Sequence, residues 1–294
     1  MRTALHTVSY AGVWPGQASL PLEAVIAKAA SLGFDGLMIM AKRPHASILD
    51  MTPDARATIR RLLADNSLAL ACLAAYNDMT EGAAHPDVPF REMQVHYITE
   101  LARLTHDLGG SLIRVFTGFE KPGIPYWQQW QWCVQALKEC ARRAADFGVT
   151  IAVQNHHDIA NHHLRLHDLL TEIDEPNCKA AFDAWAPALH GADLAEAVRH
   201  MGDFIVHTTA ADYVKRPRFQ YDPGLVNFIP QPDLVQAVPI GEGFIDYKAF
   251  FSALKDTGYD GFVAYEMCSP LKGGGSEQNL DHCARLFLDY MRNL

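Results

Sequence analysis

Thr257-Gly258-Tyr259-Asp260-Gly261 leads directly into Phe262-Val263-Ala264-Tyr265-Glu266. A glycine stands where a helix would end in the left-handed conformation, and a short apolar run follows. The same joint occurs at Leu32-Gly33-Phe34-Asp35-Gly36, at Leu108-Gly109-Gly110 and at Phe147-Gly148-Val149. Each reads as the end of a helix followed by the start of a strand.

Working outward from these joints, strands are expected near 4–9, 36–40, 68–75, 112–117, 149–154, 178–183, 203–208 and 261–266. Segments of helical period fall near 20–32, 53–66, 90–109, 127–147, 164–174, 193–200, 246–257 and 277–292. Parallel strands need such crossover helices between them. Eight strands alternating with eight helices predict an α/β fold, a (β/α)8 TIM barrel forming a single domain over residues 1–294. An open doubly wound sheet is the alternative. No Gly-rich dinucleotide fingerprint follows the first strand, since Ser9-Tyr10-Ala11-Gly12-Val13-Trp14 is not G-x-G-x-x-G.

Composition agrees with a soluble globular chain: 49% of residues are apolar and 20% charged. No apolar run approaches the ~20 residues of a membrane span. The first residues lack the apolar stretch of a signal peptide, so a cytoplasmic protein is expected. A formal charge of -9 argues against a nucleic-acid partner. The six cysteines are scattered and read as reduced core thiols.

Two connections exceed what joining elements requires. Residues 209–245, with five prolines, follow the seventh strand, and residues 267–276, with Gly273-Gly274-Gly275, follow the eighth. Both belong at the C-terminal face of a barrel, where such enzymes keep their chemistry. There they are expected to form a partly mobile cover.

Polar residues gather at the ends of the last four strands: Gln154-Asn155-His156, Asp183-Ala184-Trp185, His207-Thr208-Thr209 and Glu266. Converging carboxylates are expensive to bury without a compensating charge, and a divalent cation is the simplest one. Oxygen ligands plus one imidazole suit Mn²⁺, Mg²⁺, Co²⁺ or Zn²⁺. Elsewhere, Lys42, Arg43 and His45 follow strand two, Tyr76 and Asn77 follow strand three, and Arg114 lies within strand four. Arg and Asn supply donors that fork onto adjacent sugar hydroxyls. Arg114 sits in an apolar run, so its charge calls for an acidic or ligand partner.

These residues resemble the xylose-isomerase-like TIM-barrel superfamily of sugar isomerases and epimerases, which also holds endonuclease IV and inosose dehydratase. The resemblance rests on Val149–His156, Asp183, Gly241-Glu242-Gly243-Phe244-Ile245-Asp246 and the stretch from Gly258 to Glu266. It implies a metal held by Glu, Asp, His and Glu from strands five to eight, of which Asp183 and Glu266 match the Asp and the last Glu. Two positions depart from the pattern. Gln154 stands where strand five carries a ligand Glu, and Thr209 stands three residues before Asp212, where strand seven carries a ligand His. His207 lies on the same strand face as Thr209; it either supplies the imidazole or corresponds to a histidine that the family keeps behind its ligands.

The expected metal ligands are therefore Gln154, Asp183, His207 and Glu266. The expected catalytic groups are Glu266 and His156, because Gln154 cannot take a proton and an unperturbed imidazole titrates near neutral pH. Arg114, Trp185, Asn155, Lys42 and His45 are the expected substrate contacts. His157, His162, His163 and His167 read as solvated surface groups. The resemblance implies a metal-dependent isomerase or epimerase of a sugar or keto-polyol, acting through an enediolate. A dehydratase of inosose-dehydratase type and a sugar-binding barrel without turnover are the alternatives. The partner is a small sugar or polyol, with no nucleic acid and no membrane, and a homo-oligomer is left open.

Overall fold

The computed structural model of the chain describes residues 1–82, 85 and 87–294. Its first half follows the anticipated alternation: β1 (Arg2–His6), α1 (Leu22–Leu32), β2 (Gly36–Met40), α2 (Pro53–Asp65), β3 (Ala69–Ala74), α3 (Phe90–Asp107), β4 (Leu112–Val115) and α4 (Tyr126–Ala145). The second half continues with β5 (Thr150–Gln154), α5 (His163–Ile173), β6 (Cys178–Ala181), α6 (Trp185–Leu189), α7 (Leu194–Met201) and β7 (Ile205–Ala210). Then come β8 (Asp212–Asp222), β9 (Asn227–Val238), α8 (Tyr247–Asp256), β10 (Phe262–Tyr265) and α9 (Glu277–Arg292). The barrel strands close in the order β1-β10-β7-β6-β5-β4-β3-β2, every pair parallel.

Local chemistry explains the joints. Gly33 adopts φ 93°, and its N–H donates to the carbonyls of Ala29 and Ala30, so α1 ends there and β2 can begin. Leu22, Val25, Ile26, Ala29 and Leu32 bury one stripe of α1 against the barrel. Thr52, Asp246 and Ser276 cap α2, α8 and α9 by accepting from N–H groups of the first turn. The strand faces divide by size. Ala4, Met38, Cys72, Ala74, Phe262 and Ala264 pack inside the barrel. Leu5, Leu37, Ile39, Leu73, Ile151, Val153 and Val263 pack outward in the larger core.

Three expectations need correction. The seventh barrel strand begins at Ile205 rather than near 203, because 202–204 form a single tight turn after α7. It runs on to Ala210, which carries Thr209 to the mouth of the barrel and leaves His207 one inner-face position deeper. A short extra helix, α6, follows β6. Residues 209–245 are mostly an antiparallel ribbon: β8 pairs with β9 from Asp212↔Val238 out to Asp222↔Asn227. Prolines argue against a central strand, but both strands of an isolated ribbon are edges. Pro217 falls at the irregularity between Arg216 and Arg218, where pairing is already interrupted.

Asp212 fastens the foot of the ribbon. Its carboxylate accepts from the N–H groups of Tyr213, Gly241 and Gly243, each at 2.9 Å. A Cβ on Gly243 would lie 1.9 Å from Asp212 Oδ1, so this close approach requires glycine. Among the described residues no helix is long and apolar enough to cross a membrane.

Candidate active site

Gln154, Asp183, Thr209 and Glu266 come together at the C-terminal ends of β5, β6, β7 and β10. They line a small cleft open to solvent, with His156 and Trp185 on its walls. Tyr213 from the ribbon foot, Tyr247 from α8 and Cys268 complete it.

Asp183 is the centre of a closed network. Oδ2 accepts from Gln154 Nε2 at 2.6 Å and from Thr209 Oγ1 at 3.4 Å, and Oδ1 accepts from the Trp185 N–H at 3.1 Å. The Asn155 side chain clamps its main chain, donating to the Asp183 carbonyl and accepting from the Asp183 N–H, both at 2.9 Å. Burial pushes the Asp183 carboxyl up to about 6, against the pull of the Gln154 and Trp185 donors.

Glu266 is partly buried, its side chain 17% exposed, and Oε1 stands 3.9 Å from His6 Nε2. Loss of solvation raises its pKa; Arg114 opposes the shift and the Asp183 charge adds to it. His156 accepts the His157 N–H at Nδ1 over 2.8 Å and packs against Phe116 and Trp185. Burial first, and the Arg114 charge second, lower its pKa to about 4. The expectation of an imidazole titrating near neutrality is thus replaced by one that is neutral there. Because Nδ1 is an acceptor, the proton sits on Nε2.

The other anticipated residues divide clearly. His207 is fully buried inside the barrel, with Nε2 3.4 Å from Met38 Sδ and no partner at Nδ1, and it is not part of the cleft wall. His45 spends both ring nitrogens on the protein, at Thr7 Oγ1 and the Leu20 carbonyl, and so secures the loop after β1. Asn155 holds Asp183 and does not face the cleft. Lys42 places its ammonium 3.9 Å over the Tyr76 ring. Arg114 is buried within the barrel against Phe116 and Tyr76.

His157, read as a surface group, is stacked between Phe116 and Phe119, at 4.1 and 3.9 Å between ring centres. Tyr213, Tyr247, Cys268 and His6 were not anticipated. His6 alternates with Ala4 on the inner face of β1, a signal present in the sequence. The tyrosines and Cys268 reach the cleft only through the ribbon foot, α8 and the loop after β10. Cys268 is exposed, so five of the six cysteines, not all, are buried thiols.

The residues present do not fit a divalent cation. Asp183 accepts only, so the Gln154 amide turns its NH₂ toward it and covers an oxygen that a metal would use. His207 lies below the cleft. Among the described residues no group of three or more His, Cys, Asp and Glu side chains is arranged to hold a metal ion.

A family model described as xylose isomerase-like TIM barrel matches residues 26–287. The chain belongs to that family. Among solved structures, it is similar to D-psicose 3-epimerase from Clostridium cellulolyticum H10, crystallised with D-tagatose. That pair shares 19% identity over 100% of this chain and 99% of the other, with a TM-score of 0.77. The probable 3-DHS dehydratase AsbF from Bacillus anthracis shares 17% identity over 98% and 99% of the two chains, with a TM-score of 0.73. An L-ribulose 3-epimerase structure shares 17% identity over 99% and 93%, with a TM-score of 0.75. At these identities the likeness concerns the barrel. No curated protein matches the sequence.

Proposed function

We propose that this barrel is an enzyme of the isomerase and epimerase kind acting on a sugar or keto-polyol. The observation that carries the reading is Glu266: a carboxylate at the mouth of the barrel, with raised pKa, facing a cleft of polar and aromatic side chains. A carboxylate of that kind removes a proton from a carbon beside a carbonyl. His156, neutral and protonated on Nε2, donates to the carbonyl oxygen as negative charge develops there. Isomerisation needs one base, which returns the proton to the neighbouring carbon, while His156 gives its proton to the carbonyl oxygen and takes one from the neighbouring hydroxyl. Trp185 and Tyr213, 5.3 Å apart, form an apolar wall for the face of a ring or chain. Solved sugar 3-epimerases with the same barrel support the substrate class.

One observation favours a second reading, a lyase that removes water. Gln154 leaves the strand-five side without a carboxylate, so a two-base inversion at one carbon lacks its second base. Elimination needs only Glu266 to take the proton and His156 to protonate the departing hydroxyl. The similar barrel of the probable 3-DHS dehydratase AsbF supports this reading.

Incubation with a panel of ketoses and keto-polyols in D₂O distinguishes them. Isomerisation or epimerisation places deuterium on carbon without loss of mass as water. Dehydration yields an unsaturated carbonyl with new ultraviolet absorbance. Binding without either change would leave a sugar-binding barrel and overturn both enzyme readings.

A further inference from the structure

Arg114 is the largest fully buried side chain of the molecule, 1% exposed. Its Nη1 donates to the Ala75 carbonyl at 2.9 Å, while Nε has no partner. Among the described residues no carboxylate pairs with it. A buried guanidinium outside any direct ion pair is unfavourable; Glu266 is the carboxylate that feels its charge, and a further anion in direct contact would offset the cost of burial. The charge is felt by its surroundings: it opposes the burial-driven rise in the Glu266 pKa, and for His6, Lys42, His156 and His207 burial is the largest cause of a lowered pKa and the Arg114 charge the second.

A second cation lies on the same aromatic surface. The guanidinium carbon of Arg114 sits 3.9 Å from the centre of the Phe116 ring and 5.2 Å from that of Tyr76, and Lys42 Nζ sits 3.9 Å from the Tyr76 centre. Lys42 is exposed, whereas Arg114 is buried. Phe116 also packs against His156, 5.0 Å away, which lines the cleft. A chain of side-chain contacts therefore runs from His156, on the cleft wall, through Phe116 and Tyr76 to two positive groups. They stand on the β2–β4 side, across the mouth from β6 and β7.

We propose that the substrate of this site carries an anionic oxygen group, a carboxylate or a phosphate, held between Arg114 and Lys42 over the Tyr76 ring. The proposal rests on the reading of the cleft as a sugar or polyol site and narrows its substrate to acidic members of that class. A planar guanidinium meets two oxygens of such a group side by side, and the ammonium supplies a point charge. The anion would also place the rest of the substrate next to His156 and Glu266.

The test is calorimetric binding to the full chain, which requires no turnover. The probes are D-glucose, D-glucuronate, D-glucose 6-phosphate, acetate and inorganic phosphate. At least one anionic sugar should bind ~10-fold or more tightly than D-glucose, a preference that weakens as salt screens the charges. Preference for the glucuronate identifies a carboxylate, and preference for the sugar phosphate a phosphate. Lys42→Met, at an exposed position, should reduce the preference by about 3- to 10-fold, and Arg114→Met should erase it. Arg114→Met should also raise the thermal midpoint of the free protein, since an apolar side chain replaces an unpaired buried charge. Equal binding of neutral and anionic probes, binding of none of the anions, or a preference that survives both substitutions overturns the proposal. Deuterium incorporation into neutral ketoses with no anion preference would sink this proposal and leave the enzyme reading standing. Anion preference without exchange or dehydration in any acidic sugar would do the reverse.

Discussion

The amide nitrogen of Gln154 lies 2.6 Å from a carboxylate oxygen of Asp183 on the adjacent side of the barrel mouth. An NH₂ group thus stands at the oxygen that a third carboxylate and a cation would otherwise share. Thr209 adds its hydroxyl to the same oxygen at 3.4 Å. The negative charge of Asp183 is met by hydrogen bonds from neutral groups, and the centre is complete from within the chain.

Metal affinity follows from that arrangement. The unaltered protein should bind Mn²⁺ no more tightly than about 1 mM, and Gln154→Glu should tighten binding by at least ~10-fold, because three carboxylates then converge. Titration calorimetry of both proteins measures this. Retention of a stoichiometric divalent ion by the unaltered protein through exhaustive dialysis would show that Gln154 and Thr209 do serve as ligands.

Asp183 gives the site a pH-dependent stability. Its folded pKa, about 6, exceeds the unfolded value of 3.8, so the folded state binds more protons between them. Stability contributed by protonated Asp183 is present below the unfolded value and is lost as pH rises through about 6. Asp183→Asn should therefore stabilise the protein near pH 7–8, by up to roughly 3 kcal/mol, with the gain vanishing below about pH 4. Denaturant melts across that range check it, and a variant equally destabilised at both ends would refute the sign.

His156 should matter for rate more than for folding. His156→Ala should lower turnover by ~10²–10⁴-fold and leave the melting midpoint nearly unchanged. Its pKa near 4 means that His156 itself should contribute no limb near 6.5 to the pH profile of kcat/KM. A titration there that disappears in the alanine variant would show the imidazole to be far better solvated than its packing against Phe116 and Trp185 implies.

Asn155 acts on Asp183 through two main-chain hydrogen bonds and touches no cleft space. Asn155→Leu should cost about 1–3 kcal/mol of stability by leaving the Asp183 N–H and carbonyl unpaired. The companion change Gly243→Ala should also cost about 1–3 kcal/mol, by driving a methyl group into the Asp212 carboxylate. Loosening of the ribbon foot should appear as faster proteolysis between 212 and 238. Neutral behaviour of either variant in thermal melts would remove the role assigned to it.

Most of the barrel was legible in the chain itself. Helix-ending glycines, buried stripes at helical spacing and short apolar runs are local signals, and local signals located eight strands to within a few residues. They also brought Gln154, Asp183 and Glu266 to one end of the barrel, since strand direction and alternation decide which side chains reach the mouth. The ribbon over 212–238 was not legible, because its prolines and polar residues look like a loop unless both strands are known to be edges. The depth of His207, two residues below Thr209, depended on where β7 begins, and a single turn at 202–204 set that. Only the tertiary structure decided the electrical state of the site. Whether His156 titrates, which way Gln154 turns its amide and whether Arg114 finds a counter-charge all depend on burial and on neighbours from other strands of the barrel. A carboxylate and an amide look alike in sequence spacing; they differ in what they demand from the groups folded against them.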